Sequence, residues 1–228
     1  MPSYKEHVLA AIIMVFPFFQ DVFYIALAVI GASMIDMDHQ VNQKNITIVG
    51  LLGIILALIL YILHLPYLVG ILIAVMALLF YLSEHRGFMH SLLGIIFISA
   101  CVGFFVLGAY TLMTDYGISL KITLIVISLI LGIVILNKKL VPIYAFIIIL
   151  ALLFTSNQVF NTYYVFIALL IGAISHLILD LFTKAGVELL SPITSQKFHK
   201  LAGFTLLGLY LGAVMVSVVM YGNHFMWF

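Results

Sequence analysis

The sequence predicts an all-α membrane protein, a polytopic helical bundle with about eight to nine membrane helices. Of its 228 residues, 66% are hydrophobic and only 7% are charged, whereas a soluble domain carries about 25% charged residues. The apolar residues lie in long stretches, and a helix of about 20 such residues crosses the hydrocarbon core of a bilayer. Because backbone groups in lipid must pair within their own segment, each stretch is predicted to be helical.

The stretches without Asp, Glu, Lys, Arg or His follow one another with short connections. They cover residues 8–20, 22–35, 46–63, 65–83, 91–114, 122–137, 140–175 and 201–223. The longest is interrupted by Thr155-Ser156-Asn157-Gln158 and is predicted to form two helices. The first two are short and flank Pro17 and Asp21, so they form either a hairpin or one kinked helix. Without an internal repeat or a long linker, residues 1–228 are predicted to be a single integral membrane domain.

The basic residues fall almost entirely on one side of this predicted bundle. Eight of the nine Lys and Arg side chains lie at one face, and Lys121 alone lies at the other. Since basic loops stay in the cytoplasm, that face and the N-terminus are predicted to be cytoplasmic, in the inner or plasma membrane. A net charge of +1 excludes a nucleic-acid binder driven by bulk charge, and the single cysteine, Cys101, excludes a disulfide scaffold.

Three short segments hold most of the remaining ionisable residues. They are Asp36-Met37-Asp38-His39, Glu84-His85-Arg86-Gly87-Phe88-Met89-His90-Ser91 and His176-Leu177-Ile178-Leu179-Asp180, and His7 lies on the same predicted side. His176 and Asp180 are four residues apart on a helix, so they project from one face. Ionisable groups within membrane helices are costly and mark function by default. Each segment alone also fits a simpler role, as a hydrogen-bonded His–Asp pair, a solvated helix end or a basic membrane anchor.

Taken together, the segments predict a metal site, because imidazole and carboxylate are a common ligand combination for Zn²⁺ and Mn²⁺. One or two divalent ions, zinc or manganese, are expected there. The predicted ligands are His7, Asp36, His39, His85, His90, His176 and Asp180. Asp38 is a further ligand or orients one, and Arg86, the only arginine, has the planar donor fork that suits a phosphate.

In order and spacing, these segments resemble the YdjM-like membrane-bound metal-dependent hydrolases. That family's pattern reads roughly P-D-x-D-H, then H-R-G-x-T-H-S, then S-H-x-x-x-D followed by T-x-x-G and a later proline. Thr183, Gly186 and Pro192 match the last part, whereas Ile35 and Met89 replace the family's proline and threonine. The resemblance runs from His7 to about residue 193. It implies metal-assisted phosphoester hydrolysis and a distant likeness to zinc-dependent phospholipases C and single-strand nucleases.

The function that the sequence favours is therefore a metal-dependent, phospholipase-like phosphoesterase at the cytoplasmic membrane face. Membrane lipid is the expected partner and a phosphoester the expected substrate, because the predicted site lies at the depth of lipid headgroups. One alternative is a non-catalytic membrane scaffold with a structural metal or a polar cluster. A transporter is a weaker alternative, because the outer halves of the helices offer little beyond Asp21, His64 and Asp115 to line a polar route.

Overall fold

The computed structural model describes residues 3–36, 43–65, 67–82, 87–155 and 159–221, and most of this part of the chain is helical. Its α-helices are α1 (Tyr4–Val15), α2 (Val22–Met34), α3 (Gln43–Ile62), α4 (Leu68–Leu82), α5 (Leu92–Asp115), α6 (Leu120–Ile135), α7 (Val141–Phe154), α8 (Thr162–Leu181) and α9 (Lys200–Tyr221). A short 3₁₀ helix, Phe88–His90, precedes α5, and one isolated β-bridge joins Val187 to Phe198. The predicted all-α architecture is confirmed.

The length and the apolar composition of these helices identify a membrane protein. By length and composition, α5, α8 and residues 200–220 of α9 are long and apolar enough to cross a bilayer, and shorter apolar helices accompany them. Large hydrophobic side chains cover the outside of the bundle; Leu201 and Val219 on α9, for example, are 83% and 84% exposed. An exposed apolar surface of this extent would be unfavourable in water, so lipid is its natural surrounding.

The helix ends show how two stretches of the sequence, 8–35 and 140–175, are divided into helices. Residues 8–35 form two helices, because α1 ends before Pro17 and α2 starts afresh with Asp21 as its N-cap. The Asp21 carboxylate accepts a hydrogen bond of 2.8 Å from the Phe23 backbone N–H. Residues 140–175 likewise divide into α7 and the start of α8, where Asn161 accepts a hydrogen bond of 2.9 Å from the Tyr163 N–H.

The centre of the bundle is the contact between α2 and α8, whose backbones touch directly. A Cβ atom on Gly31 of α2 would overlap the carbonyl oxygen of Leu169, and one on Gly172 of α8 would overlap that of Ala28. Small residues allow this kind of close approach between membrane helices. The hydroxyl of Tyr24 also joins the two helices near their starts, where it accepts a hydrogen bond from the Asn161 N–H. The C-terminal end of α2 is thereby held beside the second half of α8.

Candidate metal centre

Five ionisable side chains from separate parts of the sequence meet at one end of the bundle. His7 comes from the first turns of α1, Asp36 follows α2, His90 ends the 3₁₀ helix, and His176 and Asp180 lie on α8. His90 and His176 are fully buried, and His7 and Asp180 are 4% and 3% exposed. The structure therefore brings together five of the residues that the sequence singles out. We call these five residues the His/Asp cluster.

Two imidazole nitrogens and two carboxylate oxygens alternate around the middle of the cluster. The Nε2 atom of His176 lies 3.5 Å from Oδ1 of Asp36 and 3.4 Å from Oδ2 of Asp180. The Nε2 atom of His90 lies 3.5 Å from the same Asp180 oxygen and 3.9 Å from the same Asp36 oxygen. These four atoms thus form a ring of nitrogen and oxygen donors with sides of similar length.

His7 completes the cluster from the side. Its ring stacks on that of His176, with centroids 3.8 Å apart and an angle of 14° between the planes. Its Nε2 atom lies 3.8 Å from Oδ1 of Asp180. Asp180 therefore presents one oxygen to His90 and His176 and the other to His7, and it is the residue that joins all three histidines.

Local hydrogen bonds fix the ends of the elements that carry the cluster. Ser91 caps α5 directly after His90, because its hydroxyl accepts a 3.0 Å bond from the Gly94 N–H and donates a 2.7 Å bond to the Phe88 carbonyl. At the end of α8, the hydroxyl of Thr183 donates a 2.7 Å bond to the backbone carbonyl of Asp180. These bonds restrict the backbone next to His90 and at Asp180.

A further bond ties the chain after α8 to the start of α5. The Leu92 N–H donates a 2.9 Å bond to the carbonyl of Leu189, and both Val187 and Leu189 are buried. The segment between α8 and α9 thus packs against the helix that begins beside His90, close to the cluster.

The donor set and its spacing fit a divalent cation. The separations of 3.4–3.9 Å exceed the 2.7–3.2 Å of a good N–H···O hydrogen bond. Within the described part of the chain, neither ring nitrogen of His176 has a hydrogen-bond partner, although buried polar groups nearly always have one. Ligand bonds of about 2.0–2.1 Å in a tetrahedral zinc site place the ligand atoms about 3.3–3.4 Å apart.

Two overlapping sets of ligand atoms are compact enough for a metal ion. They are His7, His176 and Asp180, and Asp36, His90 and His176, with the ligand atoms of each set within 4.8 Å of one another. An octahedral Mg²⁺ site, with bonds of about 2.0–2.1 Å, would need neighbouring ligands only about 2.8–3.0 Å apart. The mixed imidazole and carboxylate donors and the wider spacing are therefore those of a group that could hold a metal ion other than octahedral Mg²⁺.

Four predicted site residues, Asp38, His39, His85 and Arg86, lie outside the described residues, so their roles remain sequence predictions.

Other residues that position the elements of the site were not predicted from the sequence. Gly31 and Gly172 bring α2 to α8, and Tyr4 reaches α2 with a 2.8 Å hydrogen bond from its hydroxyl to that of Ser33. The small residues around Gly31 and Gly172 were the available signal, because such residues are enriched where membrane helices touch.

Comparison with known proteins supports the resemblance drawn from the motifs. Residues 140–228 match the family model described as YdjM inner membrane protein, which confirms the resemblance over that part of the chain. The match includes α7, α8 and α9, and with them His176, Asp180 and Thr183. His7, Asp36 and His90 precede it. No curated protein and no solved structure matches the chain significantly.

Proposed function

We propose that this protein is a membrane-embedded, metal-dependent hydrolase of phosphoesters, with the His/Asp cluster as its metal centre. The observation that carries the proposal is the ring of four donors from Asp36, His90, His176 and Asp180, whose sides of 3.4–3.9 Å suit the ligands of one zinc ion. The residues come from three distant parts of the chain. Placing two carboxylates and several imidazoles in an apolar bundle is costly, and function is the usual reason for that cost.

The side chains divide the work as follows. A divalent ion held by Asp36, His90, His176 and Asp180 would supply Lewis acidity, polarising a phosphoryl oxygen and lowering the pKa of water. His7 faces the second oxygen of Asp180, so it fixes the orientation of that carboxylate and offers a fifth donor. A second ion would bind His7 and the Oδ1 atom of Asp180, which lies 3.8 Å from the Nε2 atom of His7 and is not part of the ring.

Substrate would approach from the side of Asp36. The Asp36 side chain is 21% exposed, whereas those of His90, His176 and Asp180 are 1%, 0% and 4% exposed. Asp38 lies two residues after Asp36 in the sequence, and we assign it to the orientation of a ligand or of the attacking water. Arg86 lies four residues before His90, and we assign its guanidinium to the phosphate, where it would offset the charge that develops in the transition state.

A phosphate group on a membrane lipid is the proposed substrate. The cluster lies near the ends of α2 and α8, and the basic residues Lys184, Lys197 and Lys200 follow Asp180 in the sequence. We place the lipid headgroups at this end of the bundle. Anionic lipids are attracted to such basic segments. By the excess of basic residues, this side is proposed to be cytoplasmic.

A second candidate function is a structural metal site in a non-catalytic membrane scaffold. It is favoured by the burial of the cluster, because structural zinc sites are closed by four protein ligands and catalytic sites keep one position open. His90 and His176 are both fully buried, and only Asp36 gives the ring an accessible side.

The two candidates differ in the effect of replacing His176 by alanine. In the hydrolase, His176→Ala removes bound zinc or manganese together with phosphodiesterase activity of the protein in lipid vesicles. In the scaffold, the same substitution removes the metal and lowers thermal stability, but wild-type protein loaded with zinc hydrolyses neither a chromogenic phosphodiester nor a phospholipid.

His199→Ala is the matched control, because His199 is exposed and does not belong to either ligand set. It is expected to keep wild-type metal content and activity. Hydrolysis that persists unchanged in purified, folded His176→Ala protein would overturn the hydrolase proposal.

A further inference from the structure

An apolar pocket lies outside the His/Asp cluster, between the pair α3–α4 and the helices α5 and α6. Its volume is about 280 Å³. The buried side chains of Ala77, Val102 and Leu131 form its base. Leu52 of α3 and Val134 of α6 also line it, and they are 57% and 53% exposed, so the pocket opens on the outer surface of the bundle.

The chemistry of the lining selects a hydrocarbon ligand. All 14 residues around the pocket are apolar, and none of them offers a side-chain hydrogen bond to a polar ligand or to water. The helices that form the pocket are all apolar, and exposed hydrophobic side chains such as Leu52 and Val134 surround its mouth, so in a bilayer the mouth would face hydrocarbon. The surrounding lipid is therefore both the best chemical match and the most abundant molecule at the opening.

The dimensions of the pocket fit one acyl chain. Its wall on α3 extends from Ile46 to Leu56, which corresponds to about 15 Å at 1.5 Å per residue. This length is about half of the 30 Å hydrocarbon core, and hence the depth of one leaflet. An apolar cavity of about 150 Å³ holds one benzene molecule, so nearly twice that volume has room for roughly ten to twelve carbons of a chain.

One end of the pocket lies on the same side of the bundle as the cluster. Ile135 lines the pocket at the end of α6, two residues before Asn137. The Asn137 N–H donates a 3.3 Å bond to the hydroxyl of Tyr4, which in turn donates to Ser33, three residues before Asp36. A chain in the pocket would thus belong to a lipid of the leaflet whose headgroups lie at the level of Asp36.

We infer that this pocket is a binding site for one acyl chain of a membrane phospholipid from that leaflet. Lipid binding in this pocket requires no metal and no hydrolysis, so the inference is independent of the proposed function. It holds a lipid against α3 and α6 while the headgroup stays at the membrane surface on the side of the cluster.

Photocrosslinking of the full chain in phospholipid vesicles tests the inference. The probe is a trace of phosphatidylcholine with one 12-carbon chain that carries a diazirine near its end, and labelled residues are located by mass spectrometry. Labels are expected to concentrate on residues that line the pocket. Leu52→Trp and Val134→Trp, on opposite walls, are expected to reduce that labelling at least about fivefold, because added bulk in filled space strongly disfavours binding.

Two neighbouring substitutions are matched controls. Leu51 and Ile133 are adjacent to the tested residues, are 55% and 66% exposed, and do not line the pocket. Leu51→Trp and Ile133→Trp are expected to leave pocket labelling within about twofold of wild type, since their added rings point to bulk lipid. Labelling spread evenly over the lipid-facing helices, equal loss in tested and control variants, or crosslinks to a second copy of the chain in the pocket would overturn the inference.

Discussion

Replacing Asp180 by asparagine tests the metal centre at the residue that joins its three histidines. The substitution keeps the side-chain volume but removes the charge and one of the two carboxylate oxygens. Those oxygens lie 3.4 Å from His176, 3.5 Å from His90 and 3.8 Å from His7. If the cluster is a metal site, Asp180→Asn removes an anionic ligand; if it is only a polar cluster, an amide replaces a carboxylate with little effect on metal binding.

The size of the effect follows from the number of ligands. Structural zinc sites bind with about 10–16 kcal/mol, which is about 2.5–4 kcal/mol for each of four donors. Since about 1.4 kcal/mol corresponds to a tenfold change in affinity, Asp180→Asn is expected to weaken zinc binding about 100- to 1,000-fold. This figure assumes four ligand atoms, one of which is the Oδ2 atom of Asp180.

The assay is competition for zinc between purified protein and a chromophoric chelator, with the folded state checked by circular dichroism. Asp115→Asn is the control, because Asp115 is an exposed carboxylate at the far end of α5. It is expected to bind zinc like wild type. A folded Asp180→Asn protein with wild-type zinc affinity would refute the reasoning that makes this carboxylate a ligand.

Three other substitutions test how the cluster is positioned. His7→Ala is expected to weaken zinc binding about 10- to 100-fold, less than Asp180→Asn, because His7 contacts the second oxygen of Asp180. The same chelator competition measures the affinity, and a loss larger than that of Asp180→Asn would contradict this order. Gly172→Ala is expected to force α2 from α8, costing about 1–3 kcal/mol and most of the bound zinc. Gly212→Ala, with open space at its Cβ, is expected to keep the metal content and not to lower the unfolding temperature, because alanine is favoured over glycine inside a helix. A Gly172→Ala protein as stable and as rich in zinc as Gly212→Ala would refute the packing argument. Ser91→Ala is expected to cost about 1 kcal/mol of stability, or about 2–4 °C in unfolding temperature, through loss of the α5 cap. Ser99→Ala is the control, because it removes a hydroxyl without a hydrogen-bond partner in the described residues. A shift for Ser91→Ala no larger than that for Ser99→Ala would show that the cap contributes nothing.

The helical architecture was predictable because it depends on the length and position of uncharged, apolar stretches along the chain. Long uncharged stretches placed most helices, and the polar run at 155–158 separated α7 from α8 as expected. The short stretches around Pro17 left two structures open, since residue counts do not reveal whether a proline turn or a kink joins them. Asp21 caps the N-terminus of α2, which shows that residues 8–35 form two separate helices.

The composition of the cluster was partly predictable, and its arrangement was not. The four-residue spacing of His176 and Asp180 placed both on one helix face, because helix periodicity is local. The stacking of His7 on His176 depends on how α1 is rotated against α8, which no local pattern encodes. The approach of Asp36 to α8 likewise depends on Gly31 and Gly172, whose effect appears only when two helices are packed together.

The metal centre is tested most directly by the metal content and coordination of the full chain purified in detergent. Elemental analysis is expected to give about one zinc per chain, or two if His7 serves a second ion, and X-ray absorption at the zinc edge is expected to show only nitrogen and oxygen neighbours at about 2.0–2.1 Å, including imidazole. Protein that is folded, has been offered zinc and manganese, and still retains less than about a tenth of an ion per chain would contradict the assignment of the His/Asp cluster as a metal centre.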